Sequence, residues 1–146
     1  MCDTILRRRA RCIAAAALLL ATCASWAATP AELQRGYAAE AARASPDFRG
    51  FSAERGRRFF TTAHGNDWRC ASCHTDTPTA EGRHAVTGRA LRPLAPAANP
   101  ARFTDAAKAE KWFRRNCRDV VGRECTAVEK GDVLAWLSSL RAGGAR

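Results

Sequence analysis

Cys70-Ala71-Ser72-Cys73-His74 constrains this chain more than any other stretch of it. Two thiols three positions apart lie on one helical turn, each able to add to a vinyl group of a haem. The histidine that follows points its imidazole at the iron as an axial ligand. C-x-x-C-H is the attachment pattern of one covalent c-type haem for that reason. Two other readings compete. A zinc site would need further ligands, and adjacent Cys73 and His74 do not easily reach one tetrahedral ion. A thioredoxin-like redox pair would want a βαβ setting, which this sequence lacks.

The N-terminus reads as a secretory signal. Arg7, Arg8, Arg9 and Arg11 form a charged region, Ile13 to Leu20 an apolar one, and Ser25-Trp26-Ala27 a small-residue cleavage site. The apolar stretch is too short to span a bilayer, so no membrane span is expected in the mature chain. Removing residues 1–27 leaves 119 residues, lowers the formal charge from +10 to +7 and takes Cys2, Cys12 and Cys23. That length suits one modest core. Haem attachment uses Cys70 and Cys73, leaving Cys117 and Cys125. In an oxidising compartment this even pair is expected as a disulfide, with two free thiols as the alternative. The positive charge does not mark a nucleic-acid partner, because the chain is exported and has no aromatic-interleaved basic stripe. A solvated surface, or a face that steers an acidic redox partner, is more economical.

No segment alternates with period two, whereas helix starts recur. Thr29-Pro30-Ala31-Glu32 is a capping box with a first-turn proline, opening an alanine-rich helix to about Arg43 that Ser45-Pro46 breaks. Ser52 starts a second helix, carrying Phe59 and Phe60. Residues 75–103, with four prolines and two glycines, read as an ordered loop of little regular structure. Thr104 is expected to cap a helix over 105–118. Thr126-Ala127-Val128-Glu129 is a second capping box, for a last helix to about Leu140.

From Ser52 to Leu140 these pieces resemble class I cytochrome c. Gly56-Arg57-Arg58-Phe59-Phe60 is similar to that family's N-terminal helix, and Gly131-Asp132-Val133-Leu134-Ala135-Trp136-Leu137 to its C-terminal one. The resemblance implies an all-α fold with helices packed around one covalent haem. It puts Gly56 at a close helix crossing and Phe60 against Val133 and Trp136. The expected segments are a signal peptide at 1–27, a helical extension at 28–50 and the cytochrome domain at 51–142. Most class I cytochromes use a methionine as sixth ligand, but the sole methionine here is Met1, which leaves with the signal. The sixth ligand is then a histidine (His64 or His84), a lysine (Lys108, Lys111 or Lys130), another oxygen or nitrogen donor, or none.

Helical spacing puts Ala109, Trp112, Phe113 and Asn116 on one face, which makes Asn116 a polar side chain on an apolar stripe. Such a residue is a ligand candidate, although a hydrogen-bonded core amide or a helix terminus is the commoner case. The resemblance then narrows to the Sphaeroides haem protein group of oxygen-binding cytochromes c. It is carried by Gly82-Arg83-His84, Pro93-Leu94-Ala95-Pro96, Ala98-Asn99-Pro100, Arg102-Phe103-Thr104, Glu110 to Cys117 and Gly122 to Thr126. It implies Asn116 as distal ligand, His74 as proximal ligand and a Cys117–Cys125 bridge.

An amide is a hard donor that favours ferric over ferrous iron, so reduction is expected to release Asn116 and open a site for O2, NO or CO. Among the central arginines Arg83, Arg89, Arg92 and Arg102, the expected haem-propionate partners are Arg83 and Arg89, since guanidinium matches carboxylate bidentately. Three functions remain: a periplasmic one-electron carrier, a diatomic-gas binder or sensor, and a small reductase or peroxidase. The last has least support, since no distal acid–base pair is legible. The partners expected are a multihaem c-type or membrane b-type cytochrome and a small diatomic gas.

Overall fold

Five helices carry the chain through residues 28–142, the part described by the structure, a computed structural model. The signal segment expected at 1–27 lies outside those residues. In order they are α1 (Pro30–Ala44), α2 (Ala53–Thr61), α3 (Ala71–His74), α4 (Ala106–Val121) and α5 (Ala127–Ser139). A two-stranded hairpin, β1 (Gly82–Arg83) and β2 (Ala90–Leu91), separates α3 from α4. The fold is all-α apart from that hairpin. No helix among the described residues is long and apolar enough to cross a membrane.

The crossing of α2 and α5 organises the core. Gly56 makes it close: a Cβ there would stand 2.8 Å from the Val133 nitrogen and nearer still to the Asp132 carbonyl. Without that atom the two backbones touch. Phe60, Val133, Trp136 and Leu137 then cluster, with the Phe60 and Trp136 rings 4.9 Å apart. Burying each large apolar side chain here contributes about 1.5–3 kcal/mol. Asp132 locks the crossing. Its buried carboxylate accepts from the Ser52 N–H (2.6 Å) and from Arg55 Nε (2.7 Å) and Nη2 (2.9 Å).

The N-terminal helix α1 packs on the other side of α5. Leu33 and Tyr37 meet Ala109 of α4 and Leu134 of α5 in a second cluster, and the Tyr37 ring stands edge-on to Phe113 at 6.0 Å. Both capping boxes form, at Thr29 with Glu32 and at Thr126 with Glu129. Helix α4 departs from the expectation at both ends. Asp105 caps it, accepting from the Lys108 N–H at 2.9 Å, because the Thr104 hydroxyl is occupied with the Ala101 carbonyl. The helix then continues to Val121, where Gly122 at φ 79° supplies the left-handed residue that ends it.

The segment expected as a loop contains the hairpin, paired Gly82 with Leu91 and Arg83 with Ala90. Its turn is closed by His84 N–H to the Arg89 carbonyl and Gly88 N–H to the His84 carbonyl, both 2.8 Å. A disulfide joins Cys117 at the end of α4 to Cys125 just before α5. Replacing both cysteines with serine is expected to lower stability by about 2–3 kcal/mol, the chain-entropy value for so short a loop. Urea unfolding of the haem-loaded protein measures it.

Candidate haem site

The attachment motif is a single helical turn held from both sides. Before it, the Arg69 N–H donates to Ser72 Oγ at 3.1 Å. Within it, the His74 N–H reaches the Cys70 carbonyl at 3.1 Å. After it, Thr75 adopts φ 63° and stops the helix. Ala71 is buried in the Phe60–Trp136 cluster, so the turn is seated on the α2–α5 crossing. The hairpin covers the other flank. Gly82 lies against the Cys73 carbonyl, where a side chain would not fit, and the Ala85 N–H donates to Cys73 Sγ at 3.3 Å.

Burial, and next the nearby positive charge of Arg102, pushes the His74 pKa down to about 4. The imidazole is therefore neutral at physiological pH, the form that binds a metal. It makes no hydrogen bond to the described residues. Burial pushes the Cys70 thiol up to about 11, opposite to the depressed thiol of a redox-active pair. No cluster of three or more histidine, cysteine or acidic side chains among the described residues is arranged to hold a metal ion, which leaves the zinc reading without ligands.

The remaining candidates separate clearly. Asn116 is exposed, as is Trp112 (43%), whereas Ala109 is buried and Phe113 half-buried. Helix α4 leans on the core through Ala109 and Phe113, and Trp112 and Asn116 form the outer edge of that face. The Asn116 amide makes no hydrogen bond to the described residues. His64 is held through its Nε2, 2.8 Å from the Phe59 carbonyl, and packs on the Phe59 ring. His84 uses Nδ1 to accept from the Val86 and Thr87 N–H groups inside the hairpin turn. Lys130 is paired with Glu110 at 3.0 Å. Of the candidate donors named here, Asn116, Lys108 and Lys111 have side chains free of internal partners.

The arginines also divide. Arg83 and Arg89 stand exposed on the hairpin, the former donating to the Gly88 carbonyl at 2.8 Å. Arg102 is half-buried beside His74. Its Nε reaches the Pro93 carbonyl at 3.0 Å and its Nη2 the Arg92 carbonyl at 2.9 Å, an orientation fixed by the proline-rich loop. Sequence grouped these four arginines and favoured Arg83 and Arg89, but it could not show the burial of Arg102, which depends on Pro93 being folded against it. Asp132 was missed, because one acid in an apolar run carries no local signal.

Two thiols, a neutral imidazole with a spare nitrogen, and half-buried Leu94, Phe103, Phe113 and Leu140 packed on the same core cluster as Cys70 suit a haem attached at Cys70 and Cys73. Residues 46–137 match a family described as a domain of unknown function, DUF1924. The cytochrome c-type protein SHP of Cereibacter sphaeroides is 45% identical over 115 residues, which cover 76% of this chain and 84% of that protein. The structure of oxidised SHP, described as an oxygen-binding cytochrome c, matches with a TM-score of 0.69 and 42% identity, over 77% of this chain and 98% of that one. A solution structure of cytochrome c'' from Methylophilus methylotrophus, described as giving insights into haem-ligand detachment, matches with a TM-score of 0.68 and 35% identity. That match covers 76% of this chain and 93% of that one. A single attachment motif seated on this crossing, together with the similarity to these cytochromes over most of both chains, makes the chain a monohaem c-type cytochrome with covalent haem c, and it belongs to the Sphaeroides haem protein family.

Proposed function

We propose that this cytochrome is exported to the periplasm, with cleavage near Ala27, and works there as a one-electron carrier whose distal ligand Asn116 leaves on reduction. The haem, when bound, supplies a one-electron couple and a sixth coordination position. Cys70 and Cys73 would hold it by thioether bonds, and His74 would give its imidazole nitrogen to the iron as the ligand kept in both oxidation states. Residues 28–50 are an extension bracing the cytochrome domain at 51–142. The propionate role expected at Arg83 and Arg89 is better supported for Arg102, whose guanidinium is half-buried, oriented and close to His74.

The observation that carries the reading is the free amide of Asn116 at the outer edge of the Phe113 face of α4, in a chain whose mature part has no methionine. An amide oxygen or nitrogen is a hard donor and loses its hold as iron becomes ferrous. The Cys117–Cys125 bridge fixes the backbone directly after Asn116, so that the side chain departs while α4 stays in place. Ligand detachment described for cytochrome c'' supports the same behaviour here.

A second reading is a gas-binding or sensing role, favoured by the description of SHP as oxygen-binding. Both need an open ferrous site. Optical titration of the ferric and ferrous protein with CO is expected to show a six-coordinate ferric form indifferent to CO and a largely five-coordinate ferrous form that binds it at once. A ferrous form that stays six-coordinate and ignores CO overturns both. Electron exchange with a multihaem c-type or membrane b-type cytochrome separates carrier from sensor.

A further inference from the structure

A groove of about 360 Å³ runs along α1 where it meets the start of α4. Leu33, Gly36 and Ala106 give it an apolar floor, and Glu32, Glu40 and Glu110 line it with carboxylates. Glu32, Gly36 and Glu40 follow one another at intervals of four, so they share one face of α1. Eight residues separate the two glutamates, which is about 12 Å along the helix axis. Gly36 keeps the middle of that span open, since a Cβ there would meet nothing within 4 Å.

Tyr37 supplies the observation that points to a ligand. It lines the same groove and is only 5% exposed, yet its hydroxyl has no hydrogen-bond partner among the described residues. Burial, and next the Glu110 carboxylate, push its pKa up, so it stays a neutral hydroxyl. Lys130 lies over the Tyr37 ring at 4.9 Å and takes the Glu110 carboxylate at 3.0 Å. An unbonded buried hydroxyl is a cost that a donor entering the groove would remove. The other acids remain available. Glu40 makes no ion pair or hydrogen bond to the described residues. Glu32 spends Oε2 on the Thr29 cap, and its Oε1 has only Arg35 at 3.8 Å. On a chain of formal charge +10 the groove is therefore locally negative. A single metal ion does not fit it, because no three acidic, histidine or cysteine side chains among the described residues are arranged to hold one. Acids spread along an apolar floor call for a chain of methylenes with ammonium groups at intervals.

We propose that this groove binds a linear aliphatic polyamine, with methylenes on Leu33, Gly36 and Ala106, outer ammonium groups at Glu32 and Glu40, and an inner one donating to the Tyr37 hydroxyl. The site lies on the N-terminal helix and is independent of how the iron is ligated.

Spermidine, whose extended length is close to the Glu32–Glu40 spacing, serves as probe in calorimetry of the haem-loaded protein at low ionic strength. One saturable site per chain is expected, weakening as salt rises. Glu40→Gln should weaken binding about tenfold and Tyr37→Phe about threefold, the worth of a charge-assisted and a neutral hydrogen bond. Glu54→Gln removes the same charge on α2, away from the groove, and should leave binding unchanged. Gly36→Leu fills the open middle of the groove and raises helix propensity, so it should abolish binding with the circular dichroism of the protein intact. 1,8-Diaminooctane should compete with spermidine. 1,3-Diaminopropane, equal to it in charge but too short to reach both glutamates, should not. Absence of a saturable site overturns the proposal. So does binding that Gly36→Leu and Glu40→Gln leave unchanged, which would put the amine elsewhere. Equal weakening by Glu54→Gln, or equal competition by magnesium and by the short diamine, would show diffuse counter-ion attraction and overturn it as well. A dimer in sedimentation that Gly36→Leu dissolves, in a chain that ignores spermidine, would assign the groove to a second copy instead.

Discussion

Replacing Asn116 with methionine is expected to close the ferrous iron, slow CO binding about a hundredfold and raise the reduction potential. A soft thioether favours ferrous iron where a hard amide does not. If the new bond is worth about 2.8 kcal/mol, the open form falls to about 1% of the population and the observed binding rate falls with it. Asn116→Ala separates the two oxidation states. Its ferric form should become five-coordinate or water-ligated, while its ferrous CO binding stays near wild type, because under the proposed mechanism the wild-type ferrous site is already open. The surroundings favour a clean experiment. Asn116 is exposed and makes no hydrogen bond to the described residues, so neither substitution breaks the core. A ferric spectrum unmoved by Asn116→Ala but altered by replacing Lys108, Lys111 or His84 would assign the ligand elsewhere and end the open-site mechanism.

Gly56→Ala is expected to destabilise the haem-loaded protein by about 3 kcal/mol or more, at the upper end for overpacking. The added carbon would meet backbone, namely the Asp132 carbonyl and the Val133 nitrogen. Backbone cannot rotate away as a side chain can. Helices α2 and α5 must separate, and the Ser52 and Arg55 bonds to Asp132 lengthen with them. Gly131→Ala is the control. The atoms nearest its Cβ belong to the Phe51 ring, a side chain that can shift where backbone cannot, so its cost should be distinctly smaller. Urea midpoints of the two variants and wild type decide it. Equal midpoints for all three would mean that the crossing has slack the packing does not suggest. Loss of this much from an ordinary domain removes a large part of its margin.

Sequence alone determined whatever is written in neighbouring residues. The haem motif is five consecutive positions, because two thioethers and an axial bond must come from one turn. Helix starts are equally local: Thr29, Ser52 and Thr126 each bond to an N–H three residues on, and all three caps form. Gly56 opposite the Asp132–Val133 backbone was legible only because its helix resembles a known family. Tertiary structure decided the rest. Two-residue strands are too short to show alternation, so the hairpin and its contact with Cys73 were invisible. The α4 cap moved from Thr104 to Asp105 because the Thr104 hydroxyl found the Ala101 carbonyl, a choice that depends on the turn before it. Periodicity put Asn116 on the apolar side of α4 but could not say how deep that side is buried. Only the packing of Ala109 and Phe113 against α1 and α5 sets the depth, and it leaves the amide at the edge. The same holds for Arg102, one of four similar arginines until the Pro93 carbonyl picks it out. Burial is a property of the partner surface, and a sequence carries that only after it has folded.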